Sequence, residues 1–304
     1  MCDKMKKYLI CTVASLLLMP SCLTKKEKPG ELTRTSGEVK LVTLDPGHFH
    51  AALVQKNSYK QVADEVYVYA PEGDDVQEHL NKINGYNTRT DSPTKWKEVV
   101  YLGSDFLEKM LSEKKGNVMI TAGNNGKKTE YIKQTLMAGI HVLADKPMAI
   151  NSENFGLLKE CFDIARGKGI LLYDIMTERH EITTVLQREL SCIPAVYGEQ
   201  LKGTPEEPAI VKESVHHFFK VVSGTPLKRP AWFFDVNQQG EGIVDVMTHL
   251  VDLVQWEAFP EQVIDYTQDI ELLDANRWTT SISPEEFKQV TGTDAYPDFL
   301  KKDV

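Results

Sequence analysis

The sequence has 304 residues, of which 41% are hydrophobic and 26% charged, and its formal net charge is −9 at pH 7. This length is enough for one large or two medium domains that bury a sizeable core. Binding to phosphate backbones calls for a basic face, so this acidic composition argues against a nucleic-acid partner.

The first 22 residues have the pattern of an export signal rather than of a folded element. Lys4, Lys6 and Lys7 precede an apolar stretch, Tyr8 to Met19, and small or turn-forming residues then lead to Cys22. The order resembles a bacterial lipoprotein signal in which Cys22 becomes the lipidated first residue. We therefore expect an exported protein with a lipid anchor at the periplasmic face of a bacterial membrane. An ordinary cleaved signal or an uncleaved anchor is the alternative.

Two domains are expected after a polar tether at residues 23–38. Across residues 39–176, short apolar runs alternate with longer helical patterns, which predicts an α/β fold with a doubly wound parallel sheet of the Rossmann type. The predicted strands are Lys40–Leu44, Val66–Ala70, Glu98–Leu102, Val118–Thr121, Ile140–Ala144 and Ile170–Tyr173. The predicted helices are Phe49–Lys56, Val76–Asn84, Asp105–Glu113, Lys128–Met137 and Glu153–Arg166. Ser104 and Ser152 are the expected N-caps of the third and fifth helices.

In residues 177–304 the regular alternation of strand and helix patterns ends, and longer extended runs follow a helical one. This order predicts an α+β domain with an open, incomplete sheet. The expected extended runs are Tyr197–Lys202, Val211–Val222 and Gln262–Leu272, and the expected helical runs are Glu178–Leu190 and Ile243–Glu257.

The fifth predicted strand ends abruptly in Asp145-Lys146-Pro147. Proline cannot donate to a sheet ladder and favours extended geometry in the preceding residue, so Lys146 should lie at the carboxyl end of the strand. Ligands bind at that edge of an open α/β sheet. Lys146 is therefore a candidate substrate-site residue, and a solvated charge at a strand end is the alternative.

The first predicted strand runs into the sequence DPGHFH at residues 45–50, where a Rossmann sheet carries its G-x-G-x-x-G turn. Only the middle glycine is present, as Gly47, which is the one that lets the backbone approach a pyrophosphate. Glu72 follows the second strand, 25 residues after Gly47. That spacing is close to the one expected for the acid that binds an adenosine ribose, and an acid there favours NAD over NADP.

Metal and disulfide chemistry have weak support in the sequence. His48 and His50 form an HxH pair, but no carboxylate–histidine set elsewhere obviously completes it, so no metal is expected. No CxxC spacing is present. Export would permit a disulfide between Cys161 and Cys192, although Cys161 falls in a helical pattern and is expected to be a buried free thiol.

A second candidate site lies in the helical run at residues 243–257. Asp245, His249 and Asp252 recur at i, i+4 and i+7 and so share one helix face beside an apolar stripe. A histidine that titrates near neutrality among carboxylates indicates a functional site. A solvated helix face is the alternative.

Three separated stretches resemble one family, the glucose–fructose oxidoreductase/inositol dehydrogenase (Gfo/Idh/MocA) family. AGIHVLADKPMAIN at residues 138–151 resembles its AGKHVLCEKPLA signature, and GEGIVDVMTHLVDLVQW at residues 240–256 resembles its GGG-x-x-x-D-x-x-x-H-x-x-D helix. Ala122-Gly123-Asn124-Asn125 lies where the family has an A-T-P-N turn near the cofactor. The resemblance covers roughly residues 39–256.

The resemblance implies a Rossmann domain that binds a nicotinamide dinucleotide, and a second domain that binds a carbohydrate or cyclitol. It implies that His249 is the acid/base, that Lys146 hydrogen-bonds the reacting oxygen, and that Asp245 holds substrate hydroxyls or orients the imidazole. The expected cofactor contacts are Gly47, His48, Phe49, Glu72, Asn125, Lys146 and Pro147. The resemblance also allows a full-length form of the protein to be a homo-oligomer.

Two other functions remain open from the sequence. Some relatives in the family keep NAD bound and use transient oxidation to break glycosidic bonds, with no net redox change. A non-catalytic binding protein is the third interpretation, because the glycine turn is eroded. Only 48 residues follow Trp256, which is short for the second domain of this family, so we expect a chain truncated at its carboxyl end.

Overall fold

The computed structural model describes residues 36–215, 217–222 and 225–301. The predicted signal at residues 1–22, the lipidation site Cys22 and most of the predicted tether lie outside the described residues. Within the described ranges, no helix combines the length and the apolar character that crossing a membrane requires.

The amino-terminal half contains a six-stranded sheet in which every pairing is parallel. Its strands are β1 (Leu41–Leu44), β2 (Glu65–Ala70), β3 (Lys97–Leu102), β4 (Val118–Thr121), β5 (His141–Asp145) and β6 (Leu172–Ile175). They lie in the order β3-β2-β1-β4-β5-β6. The chain changes direction across the sheet between β1 and β4, and doubly wound sheets bind ligands in the crevice at that point. The predicted Rossmann-type sheet is confirmed.

Helices pack on both faces of this sheet. They are α1 (His50–Leu53), α2 (Asp74–Thr88), α3 (Phe106–Glu113), α4 (Asn125–Met137) and α5 (Ser152–Lys168). The first is a single turn rather than the predicted Phe49–Lys56, and α2 extends beyond both predicted ends. The predicted N-caps were wrong by one residue: the Asn151 side chain accepts the backbone N–H of Asn154 at 2.8 Å, and Asp105 precedes α3.

Two apolar cores lie on opposite faces of the sheet. Val42 and Leu44 pack with α3, α4 and α5, whereas Leu41 packs on the other face with residues of α1 and α2. Successive residues of a strand point to opposite faces, so a strand covered on both sides needs buried residues at each position. All four residues of β1 are buried, as this arrangement requires.

The second half of the described chain is mainly helical and irregular. Its helices are α6 (Ile182–Ser191), α7 (Pro194–Tyr197), α8 (Val236–Gln239), α9 (Thr248–Ala258) and α10 (Pro284–Thr291), and its strands are β7 (Val221–Val222) and β8 (Thr225–Pro226). Short 3₁₀ turns cover Thr177–His180, Ala231–Phe234 and Asp298–Leu300, and a π-helical turn covers Ile243–Met247.

Most of the predicted extended runs form no strand in the described chain. Tyr197–Lys202 and Gln262–Leu272 were wrong, and Val211–Val222 is a strand only at its end. The reason is that Leu201 and Val263 are 77% and 95% exposed, so their apolar side chains have no facing layer. Strands are stabilised by packing against neighbours, and alternation alone does not form a sheet.

Candidate active site

Lys146 lies at the carboxyl edge of the sheet, as its position after β5 predicted. Its Nζ atom lies 2.5 Å from Oδ1 of Asp245 and 3.1 Å from the backbone oxygen of Asp245. The two side chains are only 7% and 9% exposed. A buried charge needs a partner and hydrogen bonds, and this pair supplies both. The structure therefore brings together two of the three predicted catalytic residues, which are 99 positions apart in the sequence.

The backbone around Asp245 is irregular. This residue lies in the π-helical turn Ile243–Met247, which leads directly into α9. A π turn widens the helix locally and is frequent at functional sites. Here it presents both the carbonyl and the carboxylate of Asp245 to the Lys146 ammonium.

The other members of the predicted helix face also meet the sheet edge. Arg179 forms an ion pair with Asp252, with a distance of 2.7 Å from Nε to Oδ2. Nδ1 of His249 lies 4.0 Å from Oε1 of Glu178. Because Glu178 and Arg179 follow β6, the face docks on the rim of the Rossmann sheet and is not a solvated surface.

His249 is held in its neutral form, with a pKa below that of a free imidazole. Its side chain is 11% exposed. Burial, followed by the charges of Lys146 and His50, lowers the pKa of His249 to about 4. The imidazole is therefore neutral at pH 7, which is the form that acts as a base.

Asp145, directly before Lys146, joins the two histidines of the first turn. Its Oδ2 atom is 2.8 Å from Nδ1 of His48, and its Oδ1 atom is 2.9 Å from Nδ1 of His50. The His50 ring in turn lies 6.4 Å from the His249 ring, measured between centroids. The sequence offered no third group for the HxH pair, and the structure supplies it from β5.

A buried lysine that the sequence did not single out holds this edge together. Lys128 is 1% exposed, and its Nζ atom donates to Oδ1 of Asn125 at 2.5 Å and to the carbonyls of Asp145 and Pro147 at 3.2 Å. Burial lowers the pKa of Lys128 to about 8. A lysine in a helical pattern usually lies in solvent, so no pattern in the sequence pointed to this role. The contacts fix the turn that carries Lys146.

Asn125, a predicted cofactor contact, connects the two halves of the molecule. Its Nδ2 atom donates to the backbone oxygen of Gln239 at 2.9 Å and to Oε1 of the same residue at 3.0 Å. Asn124 makes the equivalent contact to Gln238 at 2.8 Å. The amides at the start of α4 therefore hold α8 against the sheet edge.

Two cavities adjoin this edge. The smaller, of about 30 Å³, is lined by Asp145 and by predicted catalytic and cofactor residues together: Gly47, His48, Phe49, Asn125, Lys146 and Asp245. The larger is an open cleft of about 420 Å³ that runs from Gly47 to Glu72 at the end of β2. Neither wall includes His249 or Pro147 among the described residues.

The open cleft fits a dinucleotide at its ribose end. Glu72 is exposed on its wall, as the spacing from Gly47 predicted. The exposed Lys228 also lines the cleft and can offset the charge of a pyrophosphate. The chain thus supplies an acidic group for a ribose and a basic group for phosphates.

The glycine turn is covered in this conformation. A Cβ atom at Gly47 would lie 2.8 Å from the ring of Trp232, and the Trp232 Nε1 atom donates to Oδ2 of Asp75 at 2.7 Å. The backbone N–H groups of Gly47 and His48 both donate to the carbonyl of Ala122, at 2.9 and 2.7 Å. The amides of Gly47 and His48 are therefore already hydrogen-bonded, and the Trp232 indole lies over the turn.

Comparisons with known proteins match both halves of the chain. Residues 48–173 match the family model described as "Oxidoreductase family, NAD-binding Rossmann fold" (Gfo/Idh/MocA), and residues 186–304 match "Putative oxidoreductase C terminal domain". The crystal structure of a "putative oxidoreductase" from Parabacteroides merdae ATCC 43184 is 78% identical, covers 90% of this chain and 62% of its own, and has a TM-score of 0.83. This chain thus spans 62% of the length of that relative.

More distant solved structures also match. A "putative oxidoreductase" from Thermotoga maritima is 15% identical over 72% of this chain and 58% of its own, with a TM-score of 0.49. A "putative myo-inositol dehydrogenase" from Sinorhizobium meliloti 1021 is 11% identical over 72% of this chain and 55% of its own, with a TM-score of 0.47. Among curated proteins, none matches the sequence.

The sheet order is that of a doubly wound, Rossmann-type domain, and residues 48–173 match a model of an NAD-binding Rossmann fold. The two matched models and the Parabacteroides relative make this chain similar to oxidoreductases of the Gfo/Idh/MocA type.

Proposed function

We propose that this protein is an NAD-linked oxidoreductase that transfers a hydride between the nicotinamide and a hydroxyl-bearing or keto carbon of a sugar, glycoside or cyclitol. The observation that carries the proposal is the buried pair of Lys146 and Asp245 at the cavity wall, with the neutral His249 on the same helical segment as Asp245. Alcohol oxidation needs a group that takes the hydroxyl proton and a group that stabilises charge on the oxygen, and this set contains both.

The bound nicotinamide would supply the hydride chemistry. Gly47 and Phe49 would hold its dinucleotide near the crevice, and Glu72 would accept a ribose hydroxyl. Lys228 would face the phosphates. The acidic wall at Glu72 supports NAD over NADP, because a 2′-phosphate there would be repelled.

The chain's own residues would divide the proton and charge chemistry. His249 would take the substrate hydroxyl proton at an imidazole nitrogen as the carbonyl forms. Lys146 would donate a hydrogen bond to the same oxygen and offset its negative charge. Asp245 holds the Lys146 ammonium at the cavity wall, and its carboxylate can also receive substrate hydroxyls.

The test is turnover of a panel of sugars, glycosides and cyclitols by the full-length protein with NAD, followed by NADH absorbance. Lys146→Ala and His249→Ala should each lower turnover about 10²- to 10⁴-fold. Lys146→Ala should also lower the melting temperature, because it removes a partner of the buried Asp245 carboxylate, and circular dichroism at the assay temperature checks that the variant is folded. The exposed residues Lys159 and His180 provide matched controls as alanine variants. Near wild-type turnover in either active-site variant would show that the assigned roles are wrong. Release of free sugar with no net NADH would instead indicate the redox-neutral, glycoside-cleaving chemistry.

We also propose that the protein is exported and anchored through a lipid on Cys22, which the signal pattern of residues 1–22 supports. In bacterial cells the full-length protein should then fractionate with membranes, and a Cys22→Ala variant should not. Equal recovery of both forms in the soluble fraction would contradict the anchor.

A further inference from the structure

Three side chains at the sheet edge combine as a ligand set. His48 and His50 come from the turn after β1, and Asp145 is the last residue of β5. Each offers one ligand atom, and these atoms all lie within 4.8 Å of one another. Two imidazoles and a carboxylate form a donor set that divalent transition metals prefer in proteins.

The topology explains how residues so distant in sequence meet. Only β4 separates β1 from β5 in the sheet, so the carboxyl ends of both strands lie at the same edge. Neighbouring strands are about 4.8 Å apart, so the turn after β1 has to reach across roughly 10 Å. His48 and His50 extend their rings across that gap. The Nδ1 atom of each ring lies within hydrogen-bond distance of a different oxygen of Asp145.

The separations suit an ion. Tetrahedral Zn²⁺ with bonds of about 2.0–2.1 Å holds its ligand atoms roughly 3.4 Å apart. Here one ligand atom from each of the three residues lies within 4.8 Å of the other two. The Nδ1 atoms of His48 and His50 lie 2.8 and 2.9 Å from different oxygens of Asp145, so small side-chain shifts would bring three donors to that spacing. The Asp145 side chain is 2% exposed, and those of His48 and His50 are 22% and 6% exposed. Little rearrangement and little loss of side-chain freedom would accompany binding.

The position of the cluster indicates an open site. His48 and Asp145 line the smaller cavity, of about 30 Å³, together with Lys146 and Asp245. Three protein ligands leave a tetrahedral ion with one free position, which is the arrangement of catalytic rather than structural zinc sites. An ion here would have its free position available to a small molecule in that cavity, and would polarise an oxygen of that molecule as a Lewis acid.

We propose that His48, His50 and Asp145 bind one divalent transition-metal ion at the wall of this cavity. The competing interpretation is a hydrogen-bonded trio in which Asp145 only orients the two rings. The two differ in whether the protein takes up an ion. The proposal does not depend on hydride transfer, because its measurement is metal content and metal affinity.

The experiment uses the full-length protein, stripped with a chelator and titrated with Zn²⁺ by calorimetry, with the bound metal counted by elemental mass spectrometry. Wild type should bind one ion per chain with high affinity. His50→Gln and Asp145→Asn should each weaken that binding at least about 100-fold, while the exposed-histidine control His180→Gln binds as wild type does. Zn²⁺ should also raise the melting temperature of wild type but not of the two ligand variants.

Absence of saturable Zn²⁺ binding in wild type, or unchanged affinity in both ligand variants, would overturn the proposal and leave the hydrogen-bonded trio. Circular dichroism checks that each variant is folded. If the buried variants unfold, His48→Gln replaces them, since His48 is the most exposed of the three side chains. NADH titrations of the same samples separate this result from the proposed function. Loss of Zn²⁺ binding with NADH binding retained concerns the metal site alone.

Discussion

Glu98 on β3 has an unusual environment for a carboxylate. Gln55, which is fully buried, donates its Nε2 to Oε1 of Glu98 at 2.7 Å. Within the described chain, Oε2 of Glu98 and Oε1 of Gln55 are buried with no hydrogen-bond partner. Both unpartnered atoms are acceptors, so the ionised carboxylate cannot satisfy Gln55, whereas a protonated one carries the hydrogen that could.

The pKa of Glu98 gives the size of the effect. Burial raises it from 4.5 to about 7, against the opposing effect of the Gln55 hydrogen bond. Between these two values the folded state binds more protons than the unfolded state, so stability falls as the pH rises through this window and levels off above it. A pKa difference of one between the folded and unfolded states corresponds to about 1.4 kcal/mol, so this shift corresponds to about 3.5 kcal/mol. Glu98 is only partly buried, and solvent screening lowers the cost of its ionised form to roughly 2–3 kcal/mol above pH 7.

Glu98→Gln removes the charge and supplies an amide N–H₂ that can donate to Gln55. We expect this variant to raise the free energy of unfolding by roughly 2–3 kcal/mol at pH 8 and to change it little near pH 4.5. Urea denaturation at both pH values measures the difference. Glu130→Gln, an exposed change on α4, should show no such dependence on pH. An equal effect of Glu98→Gln at both pH values, or a loss of stability at pH 8, would refute the reasoning.

Two further changes test the cleft and the docking of α9. Trp232→Ala removes the indole that covers the glycine turn, so the affinity for NADH in a fluorescence titration should rise, and an unchanged or weaker affinity would contradict this account. Arg179→Met removes the partner of Asp252, whose side chain is 14% exposed, and should cost roughly 1–3 kcal/mol in thermal or urea denaturation. Arg166→Met breaks a solvent-exposed pair and should cost less than about 1 kcal/mol. An equal loss of unfolding free energy in the two arginine variants would show that the contact with α9 stabilises the fold no more than a surface ion pair does.

The Rossmann sheet was predictable because its strands are short, apolar and buried on both faces. The strand LVTL of β1 has no exposed position, and such runs between helical patterns allow few other folds. The position of Lys146 and Asp245 at the sheet edge was predictable for a related reason. The lysine follows directly from the strand end, and the aspartate from helical spacing and family resemblance.

The remaining features depend on contacts that local sequence does not encode. Lys128 is buried because the carbonyls of Asp145 and Pro147, from the turn after β5, join Oδ1 of Asn125 in accepting its hydrogen bonds. The sequence of its own helix does not indicate the two carbonyls. Asp145 completes the histidine pair only because β5 lies two places from β1 in the sheet. The extended runs predicted in the second half form few strands because, in the described chain, their apolar side chains are exposed and no second layer packs against them.

The central claim is that this chain carries a nicotinamide dinucleotide in the cleft between Gly47 and Glu72. The most direct measurement is native mass spectrometry of the gently purified full-length protein, followed by identification of any released dinucleotide. We expect NAD or NADH bound at one molecule per chain, or restored to that level when NADH is added. A protein that carries no dinucleotide and binds none on addition of NADH would contradict the claim.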